Sequence, residues 1–223
     1  MSWPPAPDTV LVGRVVEVAP IDPDRDAAAL LDALDDDAVW EHIPFRPSSP
    51  DSFAELLTRR MAHGMFPWIV RLRVPYGGMA AGAVVGTSSY LEVAVGDARL
   101  EIGATMYRRS MWATAVNPDT KLSLLGYAFE QLHVGRVQLK TDVRNTRSQR
   151  AIARLGAHYE ATLGRYQRRA DGTVRDSVLF SVLAEDWPRV RDGLMLRLAD
   201  VATQESSTGP KPTGEMPISR VEQ

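Results

Sequence analysis

The run from Leu100 to Gly156 constrains this chain more than any other stretch. LEIGATMY (Leu100–Tyr107) has the composition of a strand, and Trp112, Ala113, Thr114, Ala115 and Val116 make a tight turn of mostly small residues. A long helix is expected to open at Asn117 and Pro118, because Asn is a favoured cap and Pro fits a first turn whose N–H groups have no intrahelical acceptor. Behind them Leu122, Leu125, Phe129 and Leu132 recur at helical spacing. GRVQLKTDV then sets Val137, Leu139 and Thr141 against Gln138, Lys140 and Asp142, the period of a half-buried strand. NTRSQRAIARLGA reads as a second helix, with Asn145 as cap, Ala151, Ile152 and Leu155 inward and Gly156 at its end.

A tight turn feeding a helix gathers backbone N–H groups at the positive end of a dipole, which suits an anion and above all a phosphate. Arg108 and Arg109 lie just upstream, where guanidinium forks could close on it. Most helix N-termini bind only water, so the turn alone leaves both readings open.

Composition excludes several classes. At 223 residues the chain can bury a sizeable core, and 44% hydrophobic with 24% charged residues is ordinary for a globular protein. A formal charge of −2 gives no electrostatic case for nucleic acid or an anionic membrane as partner. Without cysteine there is no disulfide framework, thiol nucleophile or thiolate metal site. No apolar run reaches membrane-spanning length, and MSWPPAPDTV lacks the pattern of a signal peptide, so a cytoplasmic location is expected.

In chain order, residues 1–9 form an irregular Pro-rich lead and 10–200 a single domain. LVGRVVEVAP is a first strand, and DPDRDAAALLDALDDDAVW a helix whose Asp35, Asp36 and Asp37 suggest a solvated end more than a metal cluster. HIPFRPSSP is a loop, and Ser49 opens a helix to about Met61 with Phe53, Leu56 and Leu57 on one side. FPWIVRLRV, GAVVGTSSYLEV and LEIGATMY make three antiparallel strands in a row. HYEATLGRYQRRADGTVRDSVLFSVL is a hairpin turning at Asp171-Gly172, and Trp187-Pro188 begins a last helix to about Leu198. The tail 201–223, polar and rich in Pro, Gly and Ser, is expected to be disordered. This mixture of hairpins with one crossover predicts an α/β (α+β) fold, with a mixed, largely antiparallel sheet and helices on both faces.

The order of elements, together with WATAVNPDTKL…LLGYAFE and RVQLKTDVRNTRSQRAIARLGA, resembles the GNAT acyltransferase superfamily, in its RimJ/RimL-type N-acetyltransferase branch. The likeness runs from about Leu11 to Leu198. It implies transfer of an acyl group from acetyl-CoA, or another acyl-CoA, to a primary amine of a protein N-terminus or a small molecule, without a metal. Under it, Trp112, Ala113, Thr114, Ala115, Val116 and Asn117 wrap the CoA pyrophosphate, with Arg108 and Arg109 beside it. The pantetheine pairs with Ala104, Thr105 and Met106, and Asn145 and Ser148 face the pantetheine and sulfur. Relatives often dimerise, which leaves a homodimer open.

Such a reaction places two substrates, takes a proton from the amine and steadies negative charge on the carbonyl oxygen and then on sulfur. A backbone N–H near Met106 could serve the oxygen and Ser148 the sulfur; taken alone, Asn145-x-x-Ser148 is also a common helix start. Glu101, Glu92 and Asp142 end strands where a base could stand, and Glu101 is the one named here. Trp40, His42 and Phe45, around the loop after the first helix, are the expected acceptor pocket.

Three positions depart from the family pattern. The pyrophosphate turn of relatives begins with Arg or Gln and carries a Gly where this chain has Ser110 and Ala113, and a Tyr used as general acid is replaced by Ile152. If residue 113 needs positive φ, Ala costs on the order of 1 kcal/mol. The departures keep a second class of function open, a catalytically silent CoA-binding or partner-binding module on the same scaffold. Arg144, Arg147, Arg150 and Arg154 on the second helix read as a solvated face, from which Arg147 or Arg150 could reach the adenosine phosphate.

Overall fold

The computed structural model describes residues 3–169 and 171–207. Its strands are β1 (Leu11–Val12), β2 (Val16–Pro20), β3 (Phe66–Leu72), β4 (Val84–Ala94), β5 (Arg99–Tyr107), β6 (Arg136–Asp142), β7 (His158–Arg168) and β8 (Val174–Leu183). Its helices are α1 (Pro23–Ala33), α2 (Asp37–Trp40), α3 (Pro50–Ala62), α4 (Val116–Gly126), α5 (Thr146–Ala153) and α6 (Trp187–Ser207). The strands form one sheet in the order β1-β2-β3-β4-β5-β6-β8-β7, antiparallel throughout except between β5 and β6. The predicted mixed, largely antiparallel α+β architecture is therefore the one observed.

Strand alternation divides the buried residues into two layers. One face carries Val18, Val70, Tyr90, Leu100, Ile102, Val137, Leu139 and Phe180 against α4, α5 and α6, which contribute Leu124, Leu125, Ile152 and Val190, with Leu155 from the turn after α5. The other carries Ile69, joined by Leu30, Trp40, Phe53, Leu56 and Leu57 of α1, α2 and α3 and by Leu34, which caps α1.

Several expected boundaries are corrected. LVGRVVEVAP is a hairpin, not one strand: it turns at Gly13, where a Cβ would fall 2.5 Å from Asp119 Oδ2. That carboxylate accepts the amides of Arg14, Val15 and Val16 at 3.1, 2.7 and 2.9 Å, and so ties the hairpin to α4. The first helix breaks in two because Asp36 adopts an extended backbone and caps α2 through the Ala38 amide. Asp35 and Asp37 both pair with Arg46, and among the described residues no cluster of three or more His, Asp or Glu could hold a metal ion.

Asn117 is not a cap. Helix α4 begins at Val116, leaving Asn117 in the second helical position and Pro118 in the third, where a missing N–H is still harmless. The chain enters the helix early because Ala113 takes φ +60° and Thr114 Oγ1 accepts the Val116 amide at 3.3 Å. Past Gly126 the helix widens into a π turn over Tyr127–Gln131. The backbone of α6 runs beyond Leu198 to Ser207, while the rest of the predicted disordered tail, 208–223, lies outside the described residues, as do residues 1 and 2. No described helix is long and apolar enough to cross a membrane.

Candidate active site

The two parallel strands at the centre of the sheet part company. Strand β5 pairs with β6 only from Arg99 to Glu101, yet β6 continues to Asp142 against β8. From Ile102 to Tyr107, β5 is paired with β4 alone, so a stretch of backbone edge inside the sheet has no partner strand. An unpaired strand edge is a template for any extended chain with amide-like groups.

The same stretch carries a bulge. Thr87 faces Met106 and Ser89 faces Gly103, so Ser88 stands opposite both Ala104 and Thr105. Ala104 absorbs the extra residue at φ +46°. Gly86 makes the close approach tolerable, since a Cβ there would lie 2.2 Å from the Met106 carbonyl oxygen. Ala104 and Met106 face the α3 side, whereas the Thr105 hydroxyl turns toward α4.

At the end of β5 the turn into α4 is bent by Ala113 in the left-handed region. The amides of Ala113, Thr114 and Asn117 have no acceptor among the described residues, while those of Ala115 and Val116 reach Tyr76 Oη and Thr114 Oγ1. The side chains of Ala115 and Val116 are buried. Free N–H groups around a left-handed residue form an anion-binding concavity, and the helix dipole adds to it.

The arginines divide. Arg109 lies 4.2 Å from the Trp112 ring centroid, and Arg147 of α5 covers the same ring at 3.3 Å. Arg108 instead reaches α1, where its guanidinium pairs with Asp32 at 2.6 Å; the pair expected at the turn is Arg108 with Arg109, and the observed one is Arg109 with Arg147. The tertiary packing of α5 against the sheet brings Arg147 there, which residue spacing near the turn could not show. Burial and the neighbouring Arg109 push the Arg147 guanidinium below its ordinary range.

Across the gap, Asn145 caps α5 by accepting the Ser148 amide at 3.0 Å. Its side-chain carbonyl is thus committed to the helix, while the Ser148 hydroxyl has no partner among the described residues. Ile152, in the place of the relatives' Tyr, is buried in the core.

The three candidate bases differ sharply. Asp142 is gripped by Arg169 at 2.6 and 2.9 Å, which holds its carboxyl below the usual range. Glu92, about half exposed, pairs with Lys140 at 2.6 Å. Glu101 is 5% exposed and lies 2.9 Å from Lys140 Nζ and 3.2 Å from Gln138 Nε2. Burial raises its pKa, and the hydrogen bond and charge of Lys140 only partly oppose that. Gly103 leaves room for the carboxylate, as a Cβ there would fall 2.9 Å from Glu101 Oε1. Glu101 is therefore the one whose pKa moves toward the range a base needs.

Beside the bulge, an apolar cavity is lined by Trp40, Phe45, Phe53, Leu56, Ala104 and Met106, among others. Trp40 is held there by its Nε1–H to the Leu34 carbonyl at 2.8 Å. Of the three expected acceptor residues, Trp40 and Phe45 line this cavity; His42 does not, and its ring lies 4.0 Å from Glu41. Two members of the constellation were not anticipated. Lys140 could have been suspected from its place on the polar face of β6. Lys121, 4% exposed, sits one turn before Leu125 on the inward stripe of α4, a helical position normally left to an apolar residue.

Residues 16–158 match the model of the acetyltransferase (GNAT) domain. A solved structure assigned as an acetyltransferase from T. thermophilus is 32% identical, covers 89% of this chain and 99% of its own, and superposes with a TM-score of 0.75. Mycobacterium smegmatis RimJ, solved in complex with CoA-disulfide, shares the fold at 24% identity, with 86% and 95% coverage and a TM-score of 0.67. The uncharacterized N-acetyltransferase p20 of Bacillus licheniformis is 27% identical over 104 residues; the match spans 47% of this chain and 57% of that relative's length. The parted strands, the bulged β5 and the amide-lined turn thus belong to a chain that is a member of the GNAT acetyltransferase family.

Proposed function

We propose that the protein is an N-acetyltransferase that carries an acetyl group from acetyl-CoA to a primary amine, of a protein N-terminus or a small molecule, by direct attack with both substrates bound. The observation that carries this reading is the unpaired edge of β5 from Ile102 to Tyr107, followed along the chain by the free amides of Ala113, Thr114 and Asn117. An extended pantetheine has amides that suit the edge, and a diphosphate suits the turn, so the residues present fit the donor. Arg109 and Arg147 on either side of Trp112 would meet the phosphates, since neither has an acidic partner within ion-pair distance among the described residues.

When bound, acetyl-CoA supplies an acyl group activated as a thioester. The chain does the rest. Glu101, buried and pushed upward in pKa, accepts the proton of the attacking amine directly or through one water. The edge of β5 beyond Glu101, unpaired on the β6 side, offers backbone N–H groups to the charge that grows on the carbonyl oxygen. The Ser148 hydroxyl donates to the departing sulfur, the role a Tyr fills in relatives. Trp40, Phe45 and Met106 give the acceptor an apolar wall. The donor is a metabolite of the cell interior, so the reaction belongs in the cytoplasm.

A thermal shift with acetyl-CoA and with CoA, followed by thiol release over a panel of peptides and small amines, tests the reading. Stabilisation by both nucleotides and turnover on at least one amine are expected. Binding with no turnover on any amine would make the protein a CoA-binding module instead, and no binding at all would overturn the site.

A further inference from the structure

Lys121 lies under the bulge. Its terminal nitrogen is buried and reaches two hydroxyls, Ser88 Oγ at 3.0 Å and Thr105 Oγ1 at 2.7 Å, which are themselves 2.8 Å apart. The three atoms form a closed triangle, and its two hydroxyls come from the residues that face each other across the bulge. No carboxylate among the described residues lies within 4.0 Å of Nζ.

Among the described residues, none of the titratable groups on the neighbouring elements offers Nζ a counter-charge. On α4, Asp119 is held by the amides of Arg14, Val15 and Val16. On β4, Tyr90 donates to the Leu124 carbonyl at 2.6 Å. On β5, Tyr107 is buried and un-ionised, and Glu101 points to the opposite face, against Lys140.

A count of protons decides which form fits. An ammonium has three donors and no lone pair, so in this triangle one N–H and one hydroxyl proton would be left over in a buried site. A neutral amine closes a ring, Nζ–H to Ser88, Ser88 O–H to Thr105 and Thr105 O–H back to Nζ, and leaves one N–H over where the ammonium leaves two donors. Burial independently pulls the Lys121 pKa down to about 7.

We propose that Lys121 is a positioning residue for acyl transfer: as a neutral amine it closes a ring with Ser88 and Thr105 that locks the β4–β5 bulge and so aims the free β5 backbone at the thioester. This inference rests on the acetyltransferase reading above. The hydroxyl ring grips the Thr105 side chain on the α4 side, which sets the peptide planes of Ala104, Thr105 and Met106 at the unpaired edge. A donor that drifts there loses contact with charge that exists only in the transition state, so the rate suffers while donor binding does not.

The test is Lys121→Met, close to isosteric and unable to bond either hydroxyl, with Thr105→Val as a second variant that breaks the ring from the other side. Each should stay folded by circular dichroism, lose about tenfold or more in kcat, and keep KM for acetyl-CoA within about twofold. In the wild-type protein without CoA, lysine labelled at Cε should show one resonance titrating near neutrality, absent from Lys121→Met. Wild-type kcat in both folded variants, a proportional rise in KM, or an Lys121 resonance titrating like a surface lysine would each overturn the proposal. If instead the wild-type protein neither binds CoA nor turns over, the acetyltransferase reading falls and this inference with it, a result that the labelled-lysine titration cannot mimic.

Discussion

The two faces of the sheet treat a buried lysine in opposite ways. On the open face, Lys140 lies among Glu92, Glu101 and the Tyr166 hydroxyl at 2.6, 2.9 and 2.7 Å. Burial works against its charge, but the hydrogen bonds to these groups outweigh it and hold the ammonium above the ordinary lysine value. On the α4 face, Lys121 has only two hydroxyls, and burial wins. One lysine therefore brings a lasting positive charge beside the candidate base, and the other a hydrogen-bonding hub beneath the bulge that sheds its charge as pH rises through about 7. The pair shows that surroundings, not residue type, set which role a side chain can take.

The largest effect should come from the acid partner of that comparison. Glu101→Gln is expected to lower kcat/KM by about 10²- to 10³-fold in a thiol-release assay. Because the raised pKa means that the carboxyl protonates on mild acidification, wild-type activity should fall as pH drops through that raised value, and the limb should vanish in the variant. Lys140→Met removes the charge that opposes burial. The acid limb should then move to higher pH, and denaturant melts should show a loss of about 3 kcal/mol from an uncompensated buried carboxylate. An unmoved limb would mean that Glu101 is not the titrating base.

Lys121→Met should act with the opposite sign on stability. The folded pKa lies below the unfolded one, so wild-type stability is fully present only above the unfolded lysine value and declines as pH falls toward about 7. The variant escapes that proton-release cost and should be more stable at pH 7 by about 2 kcal/mol, with the gain shrinking toward pH 10. The smallest effect belongs to the turn. Ala113 sits at φ +60°, so Ala113→Gly should relieve about 1 kcal/mol of backbone strain, partly offset by glycine entropy, and lower KM for acetyl-CoA by about two- to threefold.

Much of the site was legible because its parts are adjacent in sequence. The strand, turn and helix around Tyr107–Asn117 announce themselves by local composition, and Asn145 caps α5 as its residue type suggests. The misreadings share one cause. Asn117 has the chemistry of a cap, but the left-handed Ala113 and the Thr114 hydroxyl start the helix earlier. Arg108 stands next to Arg109 in sequence, but strand alternation and a facing Asp32 send it to α1. His42 shares a loop with Phe45, yet only the latter reaches the cavity.

By itself the sequence determined the elements, their order and the anion-seeking turn, because backbone preferences and hydrophobic period act over a few neighbouring residues. Only the tertiary structure decided where β5 leaves β6, which carboxylate is buried beside Lys140, and that Lys121 meets Ser88 and Thr105 without an acid. Those depend on residues 16 to 39 positions apart coming within hydrogen-bond distance, and on how much water the packing leaves between them.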